Sequence, residues 1–435
     1  MNKKEYLNRV PIDKDNVCIY RDEALCTNCG ACKGICNFRI GIYGHYDMAS
    51  SKKPKCINCG QCSLVCPNNS IKEREDYRKL KKDIENGYTI IAEVAPAVRV
   101  MLGDEFGYAS GKNVQGKLIR SLHRLGIKYV FDTSFGADLT IIEEAYELVE
   151  RLENNTKGPL FTSCCPAWVK YMEEMYPEMV SNLSSTKSPI LMMGSIIKNY
   201  FVKKNKIDKY KVVAIVPCTA KKYEITKSSD VDYAITVREL VRWIREENIN
   251  FRRLKNERFD GFTGTSSGLI FGASGGVMEA MLRYSYYQMI HKSPPKRLIN
   301  NELVRGLEDV KTGVIKIGNR DIRVAVINGT GDVSKLMDRI KSGEEFDVVE
   351  VMACDGGCIN GGGGSKRYKI TNQNKTARSK SIYYKDKTVK RKNSYENPLV
   401  KRLYKELLIS PGSMEAKKLL HIEILNLQYL KYLEH

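Results

Sequence analysis

The stretch FDVVEVMACDGGCINGGGG (346–364) decides the fold. Its first half is a short apolar run of the kind that forms a buried strand, and its second half is a glycine-laden turn carrying Cys354 and Cys358. Two other stretches share this construction: PLF (159–161) runs into TSCCPAW (162–168), and KVVAIV (211–216) leads into VPCTAKKYE (216–224). Strands that end on chemically active side chains are typical of α/β sheets, whose carboxyl edges open onto a shared crevice. Cys165, Cys218, Cys354 and Cys358, far apart in the chain, are therefore expected to meet.

Working outward, YTIIAEV (88–94), IKYVFDT (127–133) and IRVAVIN (322–328) join KVVAIVP (211–217) and DVVEVMA (347–353) as predicted strands. They alternate with helical periodicity near 114–125, 137–154, 187–204, 236–248 and 276–291, which predicts an α/β region. The basic segment EREDYRKLKKDIENG (73–87) reads as a linking helix. At 435 residues, 42% of them hydrophobic, the chain should divide into two or three domains. The start MNKKEYLNRVPIDKDN lacks the apolar core of a signal peptide, and no apolar run approaches the ~18 residues of a membrane span, so a cytoplasmic location is expected.

Fourteen cysteines in a reducing compartment are better read as metal ligands or reactive thiols than as disulfides. Eight form a doubled array, Cys26-x2-Cys29-x2-Cys32-x3-Cys36 and Cys56-x2-Cys59-x2-Cys62-x3-Cys66, the second followed by Pro67. Paired CxxC motifs also bind zinc, but the third thiol at the same spacing and the repeated x3 step suit iron–sulfur cubanes better. The array resembles that of bacterial two-cluster ferredoxins. By that pattern Cys26, Cys29, Cys32 and Cys66 hold one 4Fe-4S cluster, and Cys56, Cys59, Cys62 and Cys36 hold the other. Gly30 and Gly60 would let backbone amides approach the sulfurs.

The three later cysteine motifs, in this order and spacing, resemble the signatures of FeFe-hydrogenases. The likeness continues through FDTSFGADLTIIEEAYELVERLENN (131–155), NLSSTKSP (182–189), FGASGGVMEAMLR (271–283) and SYENPLVKRLY (394–404), and so covers nearly the whole chain. It implies an α+β ferredoxin-like domain at 1–85 with two 4Fe-4S clusters. A two-lobed α/β catalytic domain at 86–435 would follow, with a basic segment at 365–406. It also implies an H-cluster: a 4Fe-4S cubane held by Cys165, Cys218, Cys354 and Cys358, and bridged through Cys358 to a 2Fe subcluster with CO, CN and azadithiolate.

The implied activity is that of a ferredoxin hydrogenase, 2H⁺ + 2e⁻ ⇌ H₂. Cys164 resembles the family's proton-passing thiol, and a thiol of ordinary pKa ~8.5 suits exchange near neutrality. Glu144 and Glu147 lie three apart on one helix face, and with Ser184 and Arg151 they match the family's relay to the surface. Lys221 corresponds to a lysine that pairs with a cyanide ligand, and Met352 to a methionine near the bridging carbonyl. Val216 stands where many relatives carry methionine, a change expected to alter packing around the diiron unit. Gly363, Gly364, Ser365 and Lys366 stand where the third motif usually continues into Gln-Pro. A hydrogen sensor or slow enzyme of the same family, or a non-catalytic iron–sulfur assembly protein, is the alternative. Cys164, Lys221 and Met352 favour the enzyme.

The formal charge is +20, and residues 365–406 hold 14 Lys and Arg against three acidic residues. That stretch carries no nucleic-acid-binding motif, so it reads as a solvated face or as attraction for an acidic ferredoxin. Lys52, Lys53 and Lys55, beside Cys56, are plausible ferredoxin contacts. Hydrogen and protons are the implied substrates, and maturation proteins the implied source of the diiron unit. Cys18, His45, His123, His291, His421 and His435 fall in no ligand spacing. The tail HIEILNLQYLKYLEH (421–435) is a candidate docking helix.

Overall fold

The computed structural model describes residues 8–43, 54–298, 303–368 and 371–422. Lys52, Lys53, His45, His435 and most of the tail lie outside the described residues.

Near the N-terminus, β1 (Ile19–Arg21) pairs antiparallel with β2 (Ile71–Glu73), Ile19 opposite Glu73. The two cysteine arrays lie between them, each ending in a short helix, Ala31–Phe38 and Gln61–Val65. Gly30 and Gly60 start these helices at φ of 84° and 69°, left-handed values that favour glycine. The basic stretch expected to be helical from 73 begins as β2 and becomes helix only over Tyr77–Glu85. Tyr77 and Leu80 bury its inner face, and the Tyr77 hydroxyl donates to Glu246 at 2.8 Å.

Two four-stranded sheets form the rest. The first contains β3 (Thr89–Val94), β4 (Tyr129–Asp132), β6 (Tyr210–Val216) and β7 (Tyr233–Thr236), parallel throughout, in the order β4-β3-β6-β7. The second contains β5 (Leu160–Phe161), β8 (Val310–Ile317), β9 (Arg320–Asn328) and β10 (Val348–Met352), in the order β5-β10-β9-β8, with only β8 antiparallel. Strands buried on both faces need apolar residues at every position. On β6, Val213 and Ile215 enter one core cluster while Val212, Ala214 and Val216 enter the other. The mixed α/β architecture with a small α+β module at the N-terminus is the expected one.

Several boundaries differ from expectation. Helix Thr133–Glu153 starts a turn earlier than 137, because the Asp132 side chain accepts the Ser134 N–H at 2.7 Å and caps it there. The helix predicted over 187–204 is α-helical at Pro189–Ile196 and passes into a π-turn at Ile197–Phe201. β7 and β8 were not predicted. β8 alternates apolar residues with Lys311 and Lys316 on an edge strand, so no continuous apolar run marks it. The basic segment is not simply a solvated face: helix Asn372–Thr388 buries Lys375 and Arg378, which pair with Asp355 and Asp104. Among the described residues no helix is long and apolar enough to cross a membrane.

Candidate active site

The three motifs leave strands of both sheets. Cys218 lies just beyond β6 of the first, Cys165 beyond β5 of the second, and Cys354 and Cys358 beyond β10 of the second. Carboxyl ends of strands from two sheets thus face one crevice. Burial pushes the Cys218 and Cys358 thiols up to about 12 and Cys354 well above its ordinary value. The neighbouring thiols add to this: Cys354 is raised by Cys218, Cys165 and Cys358, and Cys358 by Cys165 and Cys218. Cys218, Cys354 and Cys358, crowded together, resist ionisation on their own, and thiolate-bound iron would supply the positive charge they lack. The donor set therefore fits a cubane. Gly357, at φ 81°, turns the chain between Cys354 and Cys358 with a Cβ position only 2.7 Å from the Ser274 nitrogen, where no other residue fits. Glu350 anchors the same strand by accepting the N–H groups of Gly275 and Met278 at 2.7 Å each, at the start of helix Gly276–Ile290.

In the N-terminal module, Cys26, Cys29, Cys32 and Cys66 line one cavity, and Cys36, Cys56, Cys59 and Cys62 line a second. Each cavity takes its fourth thiol from the other half of the array. Cys29 is exposed, whereas Cys59 is buried and close enough to Cys354 for that thiol to raise it. The three thiol groups therefore run from the surface to the crevice. Sequence reasoning missed Gln61, whose Nε2 donates to Cys354 Sγ at 3.2 Å and to the Asn360 carbonyl at 2.7 Å. A Cβ on Gly362 would stand 2.0 Å from the Cys59 carbonyl oxygen, so the glycine loop closes directly onto the second array.

The loop that departs from the family pattern is held from several sides. Arg238 donates to the Gly364 carbonyl at 2.8 Å and to Ser63 Oγ at 2.8 Å, and pairs with buried Glu73 at 2.6 Å. Ser365 Oγ donates to Glu105 at 2.8 Å. Lys366 reaches Asn69 at 2.8 Å, and burial together with Arg238 pulls its amine down to about 8.

Cys164 is buried beside Glu144, and burial first, then that carboxylate, push its thiol well up. Glu144 is fully buried; one oxygen accepts the Ser163 N–H at 3.4 Å and the other has no protein partner. Burial and the nearby Glu147 push the Glu144 carboxyl up to about 8, so it carries a proton near neutrality. Ser184 Oγ donates to Glu147 at 2.8 Å and also lies against Glu144. Glu147 is raised by burial, against which Ser184, His421 and Arg151 pull it down. Arg151, one turn further along the helix, donates to the Gly158 carbonyl at 3.1 Å. Cys164, Glu144, Ser184, Glu147 and Arg151 thus follow one another from the crevice outward.

Lys221 Nζ donates to the Cys164 carbonyl at 3.1 Å and to Glu224 at 2.8 Å, tying the second motif to the first. Burial opposes its charge, but Glu224, Cys218 and Cys164 outweigh burial and hold the amine above its ordinary value. Met352 ends β10 in the core cluster that also contains Cys164. Val216 does not: its side chain joins Ile91, Phe135 and Met193 on the other face of β6, against the expectation that it packs around a diiron unit. Cys18 is a fully buried neighbour of Val10, Ile19 and Ile71. Lys55 pairs with Glu174 at 3.6 Å, bracing the N-terminal module against helix Pro166–Met175.

The family described as iron only hydrogenase large subunit, C-terminal domain matches residues 88–362. An iron hydrogenase small subunit family matches 372–423, and a 4Fe-4S binding domain matches 53–72. The NADP-reducing hydrogenase subunit of Solidesulfovibrio fructosivorans is 37% identical over 95% of this chain and 75% of its own length. Iron hydrogenase 1 of Clostridium pasteurianum is 34% identical over 97% and 77%. A more distant relative, protein NAR1 of Arabidopsis thaliana, is 28% identical over 81% of each chain. Among solved structures, an apo FeFe-hydrogenase variant from Chlamydomonas reinhardtii superimposes with a TM-score of 0.71 at 31% identity, covering 80% of this chain and 98% of that one. With sheets, cysteine motifs and family matches in agreement, the chain belongs to the iron-only, or FeFe-, hydrogenases.

Proposed function

We propose that this protein is a catalytic, ferredoxin-linked FeFe-hydrogenase that interconverts protons, electrons and dihydrogen. Cys165, Cys218, Cys354 and Cys358 would hold the H-cluster. The H-cluster, when bound, supplies the iron site at which dihydrogen is split and formed. The protein's residues bring electrons and protons to it.

Two 4Fe-4S clusters held by the N-terminal cysteines would supply the electron path. Cys26, Cys29, Cys32 and Cys66 hold the outer one, and Cys36, Cys56, Cys59 and Cys62 the inner one. Cys59 and Gln61 then approach Cys354. The exposed outer end receives an acidic ferredoxin, for which the net charge of +20 gives a favourable encounter. Maturation proteins install the diiron unit. Lys221 holds a fixed positive charge against the crevice, and Met352 gives it a soft apolar wall.

Protons pass from Cys164 to Glu144, then through Ser184 to Glu147 and out at Arg151. The observation that carries the reading is buried Glu144, whose unpartnered oxygen and raised carboxyl suit a group that receives and releases a proton. A non-catalytic assembly protein has no use for such a carboxylate linked outward through Ser184 and Glu147. The test is hydrogen evolution from reduced methyl viologen by anaerobic, fully matured protein beside Cys164→Ala. Turnover abolished by the variant supports the enzyme and its proton path. Silence despite full iron and carbonyl content returns the protein to the sensor or assembly alternatives.

A further inference from the structure

The last described residues close onto the outer end of the proton path. After helix Met414–Leu420, His421 forms an antiparallel bridge with Thr186, while Lys187 N–H donates to Leu420 and Ile422 N–H to Ser185, at 2.8 Å each. The stretch clamped in this way, 185–187, directly follows Ser184 and lies against Glu147, which accepts the Ser185 N–H at 3.2 Å. This places the imidazole, only 9% exposed, between the Ser185 hydroxyl, 2.8 Å from Nδ1, and Glu143 Oε2, 3.0 Å from Nε2.

Both oxygens of fully buried Glu143 already accept, one from the Tyr404 hydroxyl at 2.5 Å and one from the Gly412 N–H at 2.9 Å. Nε2 therefore carries a proton. Nδ1 faces a hydroxyl that either donates to it or accepts from it. The other groups facing this corner do not duplicate that freedom. Lys187 is paired with Asp230 at 2.8 Å, Tyr404 is held protonated by burial and Glu143, and Lys417 contributes its backbone carbonyl to the His421 N–H. Arg151 is permanently charged. Glu147, on the same helix face as Glu143, is the relay group that His421 faces and helps to pull down.

Resting on the relay reading above, we propose that His421 is a positioning residue of the proton path: through Ser185, which it holds by the hydroxyl and which donates its N–H to Glu147, it keeps Glu147 set as a proton acceptor at the outer end. The segment matching the small-subunit family then reaches the outer end of the path as well as the crevice loop, where Arg378 donates to the Ile359 carbonyl.

Full-length protein is titrated by infrared difference spectroscopy, following the carboxyl band of Glu147 assigned by its loss in Glu147→Gln, for wild type, His421→Gln and His421→Lys. Hydrogen evolution is profiled against pH in parallel. In His421→Gln the Glu147 band should persist to higher pH by roughly one unit, with the acid limb of activity moving the same way. His421→Lys should return both toward wild type. An unmoved band in His421→Gln overturns the proposal and leaves His421 a structural clamp, whatever the activity. Should His421→Gln fail to fold, Ser185→Ala, which keeps the backbone donor to Glu147 but removes the hydroxyl from Nδ1, must shift the band in the same direction or the proposal falls. A wild type that makes no hydrogen defeats the enzymatic reading alone, because the infrared titration requires no turnover.

Discussion

Gln61 Nε2 reaches Cys354 Sγ at 3.2 Å across 293 positions of sequence, so the N-terminal module places a hydrogen-bond donor on a sulfur of the cysteine-lined crevice. A donor to a cluster sulfur favours the more negative, reduced state. Gln61→Leu should therefore lower the potential of the crevice cubane. One net hydrogen bond of ~1 kcal/mol corresponds to ~40 mV for one electron. Redox titration monitored by electron paramagnetic resonance reads the shift, and an unchanged potential would detach this residue from the cluster's electronics.

Glu144→Gln tests the buried carboxyl by stability as well as by turnover. Its native carboxyl sits at about 8 against 4.5 for the free group, so the folded protein binds the proton more tightly than the unfolded chain. Stability is therefore unaffected below about pH 4.5 and falls as pH rises through 8, by up to ~5 kcal/mol. The amide variant escapes this loss: it should melt like wild type at pH 5 and higher than wild type at pH 9. Its hydrogen evolution should fall by ~10²-fold or more. A melting difference independent of pH would mean the carboxyl titrates normally.

Gly362→Ala should open the seam between the glycine loop and the second cysteine array. The added methyl would lie 2.0 Å from a backbone carbonyl, which cannot yield as a flexible side chain can. Overpacking of this kind costs ~1–3 kcal/mol, read as a lower midpoint in anaerobic thermal unfolding. On the proposed assignment, electron delivery from the N-terminal clusters should slow as well, observable as slower reoxidation of those clusters when protons are supplied.

Lys221→Met removes the amine that joins the Cys164 carbonyl to Glu224 and leaves that carboxylate poorly solvated, 11% exposed. Breaking such a pair costs ~3 kcal/mol. Lys221→Met with Glu224→Gln should recover most of the loss in denaturant unfolding without recovering hydrogen evolution. Recovery of both would make the lysine merely structural.

What the sequence revealed and what it hid divide along physical lines. Cysteine spacing and the apolar runs before each motif are local signals, and from them the sheets, the two arrays and the crevice could be placed. β5, though only two residues long, was marked by PLF before its cysteine motif, whereas β8 alternates on an edge and leaves no strong run. Charge misled at Lys375 and Arg378, because a basic helix looks solvated until its acidic partners, Asp355 and Asp104, are brought beside it. Val216 misled by position: its neighbours along β6 suggested a crevice wall, while strand alternation turns it to the opposite face. Gln61 and His421 carry no local mark, since each is defined by a partner more than two hundred positions away.

The division of the crevice thiols between two sheets has a mechanical consequence. On the proposed assignment Cys218 hangs from one lobe, and Cys165, Cys354 and Cys358 from the other, so neither lobe alone owns a complete set. A metal bound by all four braces the lobes against separation, and its binding energy becomes resistance to hinge opening. Loading and rigidity are then one event: a cluster held by all four thiols would tie the two sheets together as it fills the crevice between them.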